Sequence, residues 1–321
     1  MTLRKVAEKA GVAIDTVRKA LRDDPTIRSY LKERVLKAAE EIDYHPNLVA
    51  RALREKALQI VPISVNELQN PYFGSLALHL SQCLSEQGLE PALCLDAEHL
   101  LKLSRTLSPC GSILGYGYSD EAVRLLGKRQ KVVSVGVEMK TIPGMGMVFI
   151  DFAEAYQSIA KTLKRMGRRS VAVHSITMAD YVQRGETSRK FGAAINSLSE
   201  SGLKLVRIDG RDFFTDLEVI PRFLAAHPRA LDTVICENDQ VATRLYGALM
   251  SRGIRVPEDV LIVGCDANLM MPGTLSIKID TKAVAQEAVG LLLRLLDGVK
   301  NPAARVFKPV AVDESGMLET K

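Results

Sequence analysis

The hydrophobic positions of this chain follow two different patterns, one near the N-terminus and another from Gln59 onward. In the first, Ala7, Gly11 and Val17 have the spacing of two short helices joined by a tight turn, where glycine can adopt the left-handed conformation. A third helix is predicted to begin near Ser29. Further apolar positions for the packing of three helices are Leu3, Val6, Ile14, Leu21, Leu31, Val35 and Ile42. The pattern predicts a small helix-turn-helix unit.

From Gln59 onward, apolar runs of strand length alternate with helical segments. A first series of runs covers residues 60–65, 91–95, 112–117 and 132–136, and a second series covers residues 170–176, 203–208, 233–238 and 259–266. Continuous apolar strands separated by helices are typical of parallel sheets. The two series therefore predict two α/β subdomains with a cleft between them, where ligands bind near the carboxyl ends of the strands.

The segment between the two patterns, residues 44–56, predicts one more short helix. Pro46 cannot continue the third helix, while Asn47 can cap a new one. A helix of about two turns is not stable alone in water. Because Arg54 is basic and Leu53 is apolar, the segment is predicted to fold on DNA, with Leu53 inserted between base pairs in the minor groove.

Charge distinguishes the two parts of the chain. The whole chain carries a net charge of +5, and residues 1–57, with 13 Lys/Arg and 9 Asp/Glu, carry +4 of it. A basic excess confined to one small unit is typical of an attached nucleic-acid-binding module. The alternative is a small helical cap that binds no ligand.

Composition and motifs argue against several kinds of chemistry. The five cysteines form no C-x-x-C pair and the five histidines are scattered, so neither a disulfide framework nor a metal site is predicted, and no cofactor is expected. The run at 115–120 has Asp120 where the last glycine of a dinucleotide-binding loop belongs. Neither a complete P-loop nor a G-x-S-x-G motif occurs, which disfavours an α/β enzyme.

No membrane or export signal is visible in the sequence. There is no apolar run of the ~18 residues that a membrane span needs, and no N-terminal apolar segment followed by a small-residue cleavage site. We therefore expect a cytoplasmic protein with no membrane partner. A solute-binding protein of transport would share the predicted cleft, but the missing signal peptide and the added N-terminal helices argue against it.

A family resemblance brings these patterns together. The stretch VAEKAGVAIDTVRKAL (6–21), followed by ERVLKAAEEIDYHPNLVARALR (33–54), resembles the DNA-binding headpiece and hinge of the LacI/GalR family of bacterial transcription regulators. The resemblance implies an all-α helix-turn-helix headpiece at 1–46, a hinge helix at 47–58, and a periplasmic-binding-protein-like α/β core of two parallel-sheet subdomains at 59–321. Subdomain one would span about 59–156 plus 280–308, and subdomain two about 157–279 plus 309–321.

The resemblance also implies a function. Such a protein would be a homodimeric, nucleoid-associated transcription regulator, with repression expected, that binds a near-palindromic operator. A small polar metabolite, sugar-like or of another class, would modulate operator binding from the core cleft. The DNA-binding residues that the family motifs imply are Thr2, Ile14, Asp15, Thr16, Arg18, Lys19, Arg22, Asn47, Ala50, Leu53 and Arg54. Lys19, Asp15 and Ile14 would face base edges, while Thr16 and Arg18 would hold phosphates.

The effector site implied by the family is polar with an aromatic wall. Its residues would be Tyr72, Phe73, Arg189, Asn238, Asp239 and Asp266. A guanidinium, two carboxylates and an amide can hydrogen-bond a polar metabolite, while an aromatic ring stacks on its carbon skeleton. The alternatives are that the two aromatic residues belong to the core, that Arg189 lies on the surface, and that Asp266 caps a turn.

The chain departs from the family pattern at several positions. Arg18 and Arg22 replace a serine and an asparagine of the usual recognition helix, and Cys265 replaces an aromatic residue next to Asp266. Because the chain has no tryptophan, any stacking platform must be tyrosine or phenylalanine. These departures leave the operator sequence and the identity of an effector, or whether one is bound, open.

Overall fold

The structure, a computed structural model, describes residues 2–21, 24–44, 59–65, 68–115, 120–136, 144–174, 189–206, 218–227 and 229–313. The chain divides into two compact units, Met1–Leu58 and Gln59–Lys321. Each unit has a hydrophobic core of its own.

The first unit contains three helices around a small core. They are α1 (Leu3–Ala10), α2 (Ile14–Leu21) and α3 (Ser29–Glu41). Val6, Val17 and Val35 are fully buried at the point where the helices meet, and the other buried residues of this core are alanines, which permit close approach. The helix-turn-helix spacing predicted from the sequence is therefore confirmed.

The turn between α1 and α2 depends on one glycine and one arginine. Gly11 has φ 59°, in the left-handed region that favours glycine. Arg34, on α3, donates from Nε to Ala10 O (2.6 Å) and from Nη2 to Gly11 O (2.9 Å). These bonds satisfy carbonyl groups at the end of α1 and connect the turn to α3.

In the second unit, a six-stranded parallel sheet has the strand order β11-β5-β4-β3-β1-β2. Its strands are β1 (Ile60–Ser64), β2 (Glu90–Cys94), β3 (Gly111–Gly115), β4 (Lys131–Gly136), β5 (Gly146–Ile150) and β11 (Arg305–Phe307). The helices that follow these strands or pack on the sheet are α4 (Pro71–Glu86), α5 (Ala97–Leu107), α6 (Asp120–Gly127) and α11 (Thr281–Leu296). The sequence analysis predicted β1 to β4 but not β5 or β11.

A second parallel sheet has the strand order β7-β6-β8-β9. Its strands are β6 (Ser170–His174), β7 (Lys204–Leu205), β8 (Thr233–Cys236) and β9 (Leu261–Val263). Its helices are α7 (Ala153–Arg165), α8 (Arg189–Glu200), α9 (Val219–Ala226) and α10 (Asp239–Met250). The two parallel sheets confirm the predicted fold class.

One short antiparallel pair was not predicted. β10 (Ser276–Lys278) pairs with β12 (Val310–Val312) as the chain passes between the two sheets. Strands of three residues are too short to show a period of two in the sequence. Among the described residues, no helix is long and apolar enough to cross a membrane.

Candidate DNA-binding and effector sites

Helix α2 of the first unit has one buried face and one outward face. Val17 and Ala20 are buried against α1 and α3, and the helical period turns their neighbours outward. The predicted contact residues carried by α2 are Ile14, Asp15, Thr16, Arg18 and Lys19. Four of them are exposed and Thr16 is partly buried, so one short helix presents this whole set together.

The charged residues of this face are only loosely paired. Arg18 Nη1 lies 3.8 Å from Asp15 Oδ1, and an exposed pair of this kind contributes little to stability. Such side chains can exchange water for phosphate oxygens or base edges without loss of a structural contact. Ile14 is 38% exposed, which suits a contact with a thymine methyl group.

The remaining predicted DNA contacts have different positions. Thr2 is exposed and precedes α1, where its carbonyl oxygen accepts from the backbone N–H groups of Lys5 (3.0 Å) and Val6 (3.3 Å). The other predicted contacts lie outside the described residues: Arg22, Asn47, Ala50, Leu53 and Arg54. The same holds for the whole predicted hinge, 47–58.

In the second unit, the carboxyl ends of β8 and β9 form one side of the candidate effector site. Asn238 follows β8 and caps α10, because its side-chain oxygen accepts from Val241 N (3.0 Å). Asp239 N donates to Cys265 O (2.8 Å), which joins the segment after β8 to the segment after β9. Parallel neighbours in a sheet end at the same edge, so Asn238, Asp239 and Asp266 come together there.

Asp239 is a buried anchor for the loop that follows Asp266. Its side chain is 2% exposed, and Oδ2 accepts from the backbone N–H groups of Asn268 (2.8 Å) and Leu269 (3.2 Å). Oδ1 accepts from Ser276 Oγ (2.7 Å). Burial raises the pKa of this carboxyl, while the hydrogen bond from Ser276 and those from the loop lower it. Gly264 is required beside it, because an added Cβ would overlap Asp239 Oδ1.

Asp266 occupies a less constrained position on the same loop. Its backbone has φ 97°, and its N–H donates to Ile277 O (2.7 Å). The residue is partly exposed. Burial raises the pKa of Asp266 to about 7, with Lys190 acting in the opposite direction and Asp239 adding to the increase. A carboxyl group with this pKa changes protonation near neutral pH, as groups in functional sites often do.

Lys190 is a site residue that the sequence analysis missed. Its Nζ donates to Glu237 O (2.7 Å) at the end of β8 and lies 5.1 Å from the centroid of the Phe152 ring. Burial disfavours the charged form, but Cys265 and other neighbours outweigh burial and raise the pKa of Lys190. The ammonium group therefore stays charged at neutral pH. No helical period distinguishes Lys190 from a surface lysine, so only the packing of α8 on the sheet reveals it.

The first sheet contributes aromatic residues near the opposite side. Asn70 caps α4, since its Oδ1 accepts from Tyr72 N (3.0 Å), and Pro71 occupies the first turn. Tyr72 is 4% exposed and belongs to the core, whereas Phe73 is partly buried, with the two ring centroids 5.1 Å apart.

One hydrogen bond joins this side of the site to the second sheet. Gln240, on α10, donates from Nε2 to Gln69 O (3.1 Å), just before α4. The predicted clamp, Arg189, begins α8, but its side chain lies outside the described part of the structure.

Comparison with known proteins finds family matches for both the helical unit and the α/β unit. Residues 2–47 match the model for bacterial regulatory proteins of the lacI family, and residues 160–314 match the model for the periplasmic binding protein-like domain. The ribose operon repressor of Bacillus subtilis (strain 168) is 25% identical over 336 aligned positions, covering 100% of this chain and 98% of that protein. The HTH-type transcriptional regulator AscG of Escherichia coli (strain K12) is 26% identical over 318 positions, covering 92% of each protein.

Solved structures show the same fold. A lac repressor dimer bound to operator and the anti-inducer ONPF superposes with a TM-score of 0.75 at 18% identity, covering 99% of each chain. A complex of the transcriptional regulator CelR with cellobiose gives a TM-score of 0.65 at 20% identity, covering 99% of this chain and 100% of the other. The chain belongs to the LacI/GalR family.

As a LacI/GalR-family protein, the chain is a DNA-binding transcription regulator with a helix-turn-helix headpiece. The family motifs found Asn238, Asp239 and Asp266, which the structure brings together at one sheet edge. They did not find Lys190, whose neighbours include Cys265, the cysteine that stands where the family usually has an aromatic residue. The candidate effector site of this LacI/GalR-family regulator therefore has an ammonium group among its carboxylates.

Proposed function

We propose that this regulator is a homodimeric repressor whose operator binding is modulated by a small polar metabolite. The observation that carries the proposal is the outward face of α2, where Ile14, Asp15, Arg18 and Lys19 are exposed together above a buried valine core. In the proposal the protein acts by binding rather than by catalysis, in the cytoplasm and in association with the nucleoid.

DNA recognition is assigned to α2 in the major groove. Lys19 reaches guanine O6 and N7, Asp15 accepts from cytosine N4, and Ile14 contacts a thymine methyl group. Thr16 and Arg18 hold phosphates, and the hinge at 47–58 places Leu53 in the minor groove at the operator centre. One headpiece covers only a half-site, so two headpieces on a near-palindromic operator are required for useful affinity.

The effector is assigned to the carboxyl ends of β8 and β9. Asn238 and Asp266 supply an amide and a carboxyl group there. The proposal adds the guanidinium of Arg189 and, as an apolar wall, Phe73 from the first sheet. Relatives of this fold have been solved with cellobiose and with a lac anti-inducer, which supports a sugar-like effector. The effector is proposed to bind one degree of cleft closure more tightly than another. This difference in binding free energy sets how strongly the effector changes DNA affinity, typically by 1–3 kcal/mol.

The dimer interface is assigned to the β2 edge of the first sheet together with α4. β2 is the last strand of that sheet, so one side of its backbone is unpaired by a neighbouring strand. Leu93 and Leu95 are 49% and 66% exposed, and they line a groove of about 530 Å³ with residues of α5. Leu78, on α4, is exposed as well. Apolar residues along an open sheet edge favour an interface between two copies of the chain.

The DNA-binding proposal is tested by selecting bound sequences from a random pool, first with the natural protein and then with Lys19→Ala. We expect a near-palindromic site, and a loss of preference at one or two base pairs in the variant, by about 1–3 kcal/mol per position. Arg4→Ala, at an exposed position on α1, is a matched control that should leave the selected sequence unchanged. A uniform loss of affinity with unchanged preference would show that Lys19 contacts phosphate instead.

The interface proposal is tested by sedimentation of Leu93→Lys. We expect this variant to dissociate into monomers at micromolar concentration and to lose tight binding of the palindromic operator. Val306→Lys is the matched control, because Val306 is 54% exposed on β11, at the opposite edge of the same sheet. If Leu93→Lys stays dimeric, the dimer interface lies elsewhere on the second unit.

A further inference from the structure

We propose that the second unit itself contacts the phosphates of operator DNA, through a basic surface at the edge where the strands of the first sheet begin. This surface, the amino edge, is formed by Lys128, Arg129 and Lys131, which end α6 and start β4. The inference rests on the proposed repressor function. It adds a DNA contact that belongs neither to the helix-turn-helix unit nor to the predicted hinge.

The amino edge carries exposed positive charge. Lys128, Arg129 and Lys131 are all exposed, and within the described part of the chain none of them forms an ion pair. The helices between parallel strands must return the chain to this edge, so it also receives exposed residues from the ends of α5 and α11. These are the cations Arg105 and Lys300 and one carboxylate, Asp297. Two more carboxylates of the edge, Glu86 and Glu90, lie beside β2, on the far side of β1 from β4.

A buried polar cluster fixes the turn that carries the cations. Gln130 is 8% exposed, and its Nε2 donates to Ser104 Oγ on α5 (3.0 Å) and to Ser112 Oγ on β3 (2.9 Å). Both serines are buried. Because Gln130 is held on the inside, the exposed neighbours Arg129 and Lys131 have a fixed backbone. Little backbone ordering is then required when their side chains bind a phosphate.

Chain connectivity places the amino edge close to the segment predicted to bind the operator centre. The first unit joins the second at Gln59, immediately before β1, and only β3 separates β1 from β4 in the sheet. Neighbouring strands lie about 4.8 Å apart, so the start of β4 is roughly 10 Å from the strand at which the predicted hinge enters. DNA held by that hinge would therefore lie opposite the amino edge, not opposite the carboxyl ends of the strands, where the candidate effector site is.

A second basic cluster gives a matched contrast. Lys161 and Lys164 on α7, and Arg169 just before β6, are exposed at the edge where the second sheet begins. They equal the three cations of the amino edge in number and in charge. However, the candidate effector site lies between this edge and the first sheet, and the predicted hinge does not enter here. These three cations should therefore not contact operator DNA.

The experiment compares the full-length natural protein with Lys128→Gln/Arg129→Gln/Lys131→Gln on two labelled duplexes. One is the operator selected from the random pool, and the other is a mixed-sequence duplex of equal length. Affinity and dissociation rate are measured at several salt concentrations. We expect the triple variant to bind both duplexes about tenfold more weakly, with a slope of log affinity against log salt that is shallower by about 2 to 3, since each phosphate contact contributes about 0.9. Dissociation from the operator should be faster.

Two further measurements identify the contact. Lys161→Gln/Lys164→Gln/Arg169→Gln should bind both duplexes with the affinity and salt slope of the natural protein. Single methylphosphonates in the operator each remove the charge of one phosphate. At one or more positions this replacement should weaken binding by the natural protein but not by the amino-edge variant. Thermal unfolding of both variants should match that of the natural protein, because the substituted side chains are exposed.

Several results would overturn the inference: unchanged affinity and salt slope in the amino-edge variant, equal losses in both triple variants, or no methylphosphonate position that distinguishes the variant from the natural protein. A change confined to the association rate would overturn it as well, because it would indicate long-range attraction without contact. The proposed function would fail separately, if the natural protein selected no DNA sequence. The mixed-sequence duplex would then still test the amino edge.

Discussion

The face of α2 and the carboxyl end of the second sheet are both candidate recognition sites, but they are built in different ways. The face of α2 takes its residues from one helix of eight residues, and most of them are exposed. The sheet edge takes Lys190, Asn238 and Asp266 from three separate segments and buries them in part. Exposed groups suit an extended polyanion, whereas convergent and partly desolvated groups suit a small ligand.

The largest expected effect is on operator affinity, when a substitution disrupts the hydrophobic core of the headpiece. Val17→Asp places a carboxylate at a fully buried position, and an unpaired buried charge costs several kcal/mol, comparable with the whole stability of a unit of about 45 residues. We expect operator affinity to fall at least 100-fold while the thermal unfolding of the second unit is unchanged. Leu36→Asp, at a position 44% exposed on α3, is the control and should still bind. Normal operator binding by Val17→Asp would contradict the packing described above.

At the sheet edge, Asp239 should matter for stability. Asp239→Ala leaves three donors, Asn268 N, Leu269 N and Ser276 Oγ, without their acceptor. Because hydrogen bonds to charged groups are stronger than neutral ones, we expect the free energy of unfolding of the second unit to fall by about 3 kcal/mol in urea titrations. Ser276→Ala removes one of these bonds and should cost about 1 kcal/mol. A loss below about 0.5 kcal/mol for Asp239→Ala would mean that water replaces the carboxylate as the hydrogen-bond acceptor. Asp239 would then not differ from Asp266 as a structural anchor.

Asp266 should affect stability in a pH-dependent way. Its pKa is about 7 in the folded protein, above the ordinary value of 3.8, so the folded state binds the proton more tightly than the unfolded state. Stability therefore decreases as pH rises from about 4 to 7 and is constant above that. Asp266→Asn should flatten this part of the curve and gain up to a few kcal/mol at pH 8, since one pKa unit corresponds to about 1.4 kcal/mol. Chemical unfolding at several pH values measures this, and parallel curves for the two proteins would refute it.

The smallest expected effect is at the turn of the headpiece. Gly11→Ala forces alanine into φ 59° and brings its Cβ to 3.0 Å from Arg34 Nη2, so we expect a loss of about 1 kcal/mol in headpiece stability. Gly192→Ala is the matched control, because Gly192 lies inside α8 and its added Cβ meets nothing within 4 Å. That change should be neutral or stabilising, by up to about 1 kcal/mol. Calorimetry of each unfolding transition distinguishes the two, and equal effects would show that the turn imposes no strain.

The prediction from sequence succeeded wherever structure follows a local period. The first four strands of one sheet and all four of the other lie within or beside the predicted apolar runs, because strands buried on both faces must be continuously apolar. β10, β11 and β12, of three residues each, were missed because they are not part of a predicted apolar run as the equally short β9 is, and β5 was missed although its five residues are all buried. The strand propensity of single residues cannot show which strands, far apart in the sequence, pair in one sheet.

The sequence by itself determined the headpiece and its recognition face, since helices α1 to α3 are adjacent in the chain and their spacing fixes which residues point outward. It also indicated eight strands of the core, β1 to β4 and β6 to β9. Only the tertiary structure decided that Asp239 anchors a loop, that Asp266 lies near an ammonium group, and that Lys190 donates to Glu237 O at the end of β8. Those outcomes depend on the alignment of strand ends and on burial, which raises or lowers the pKa of a group according to neighbours far away in sequence.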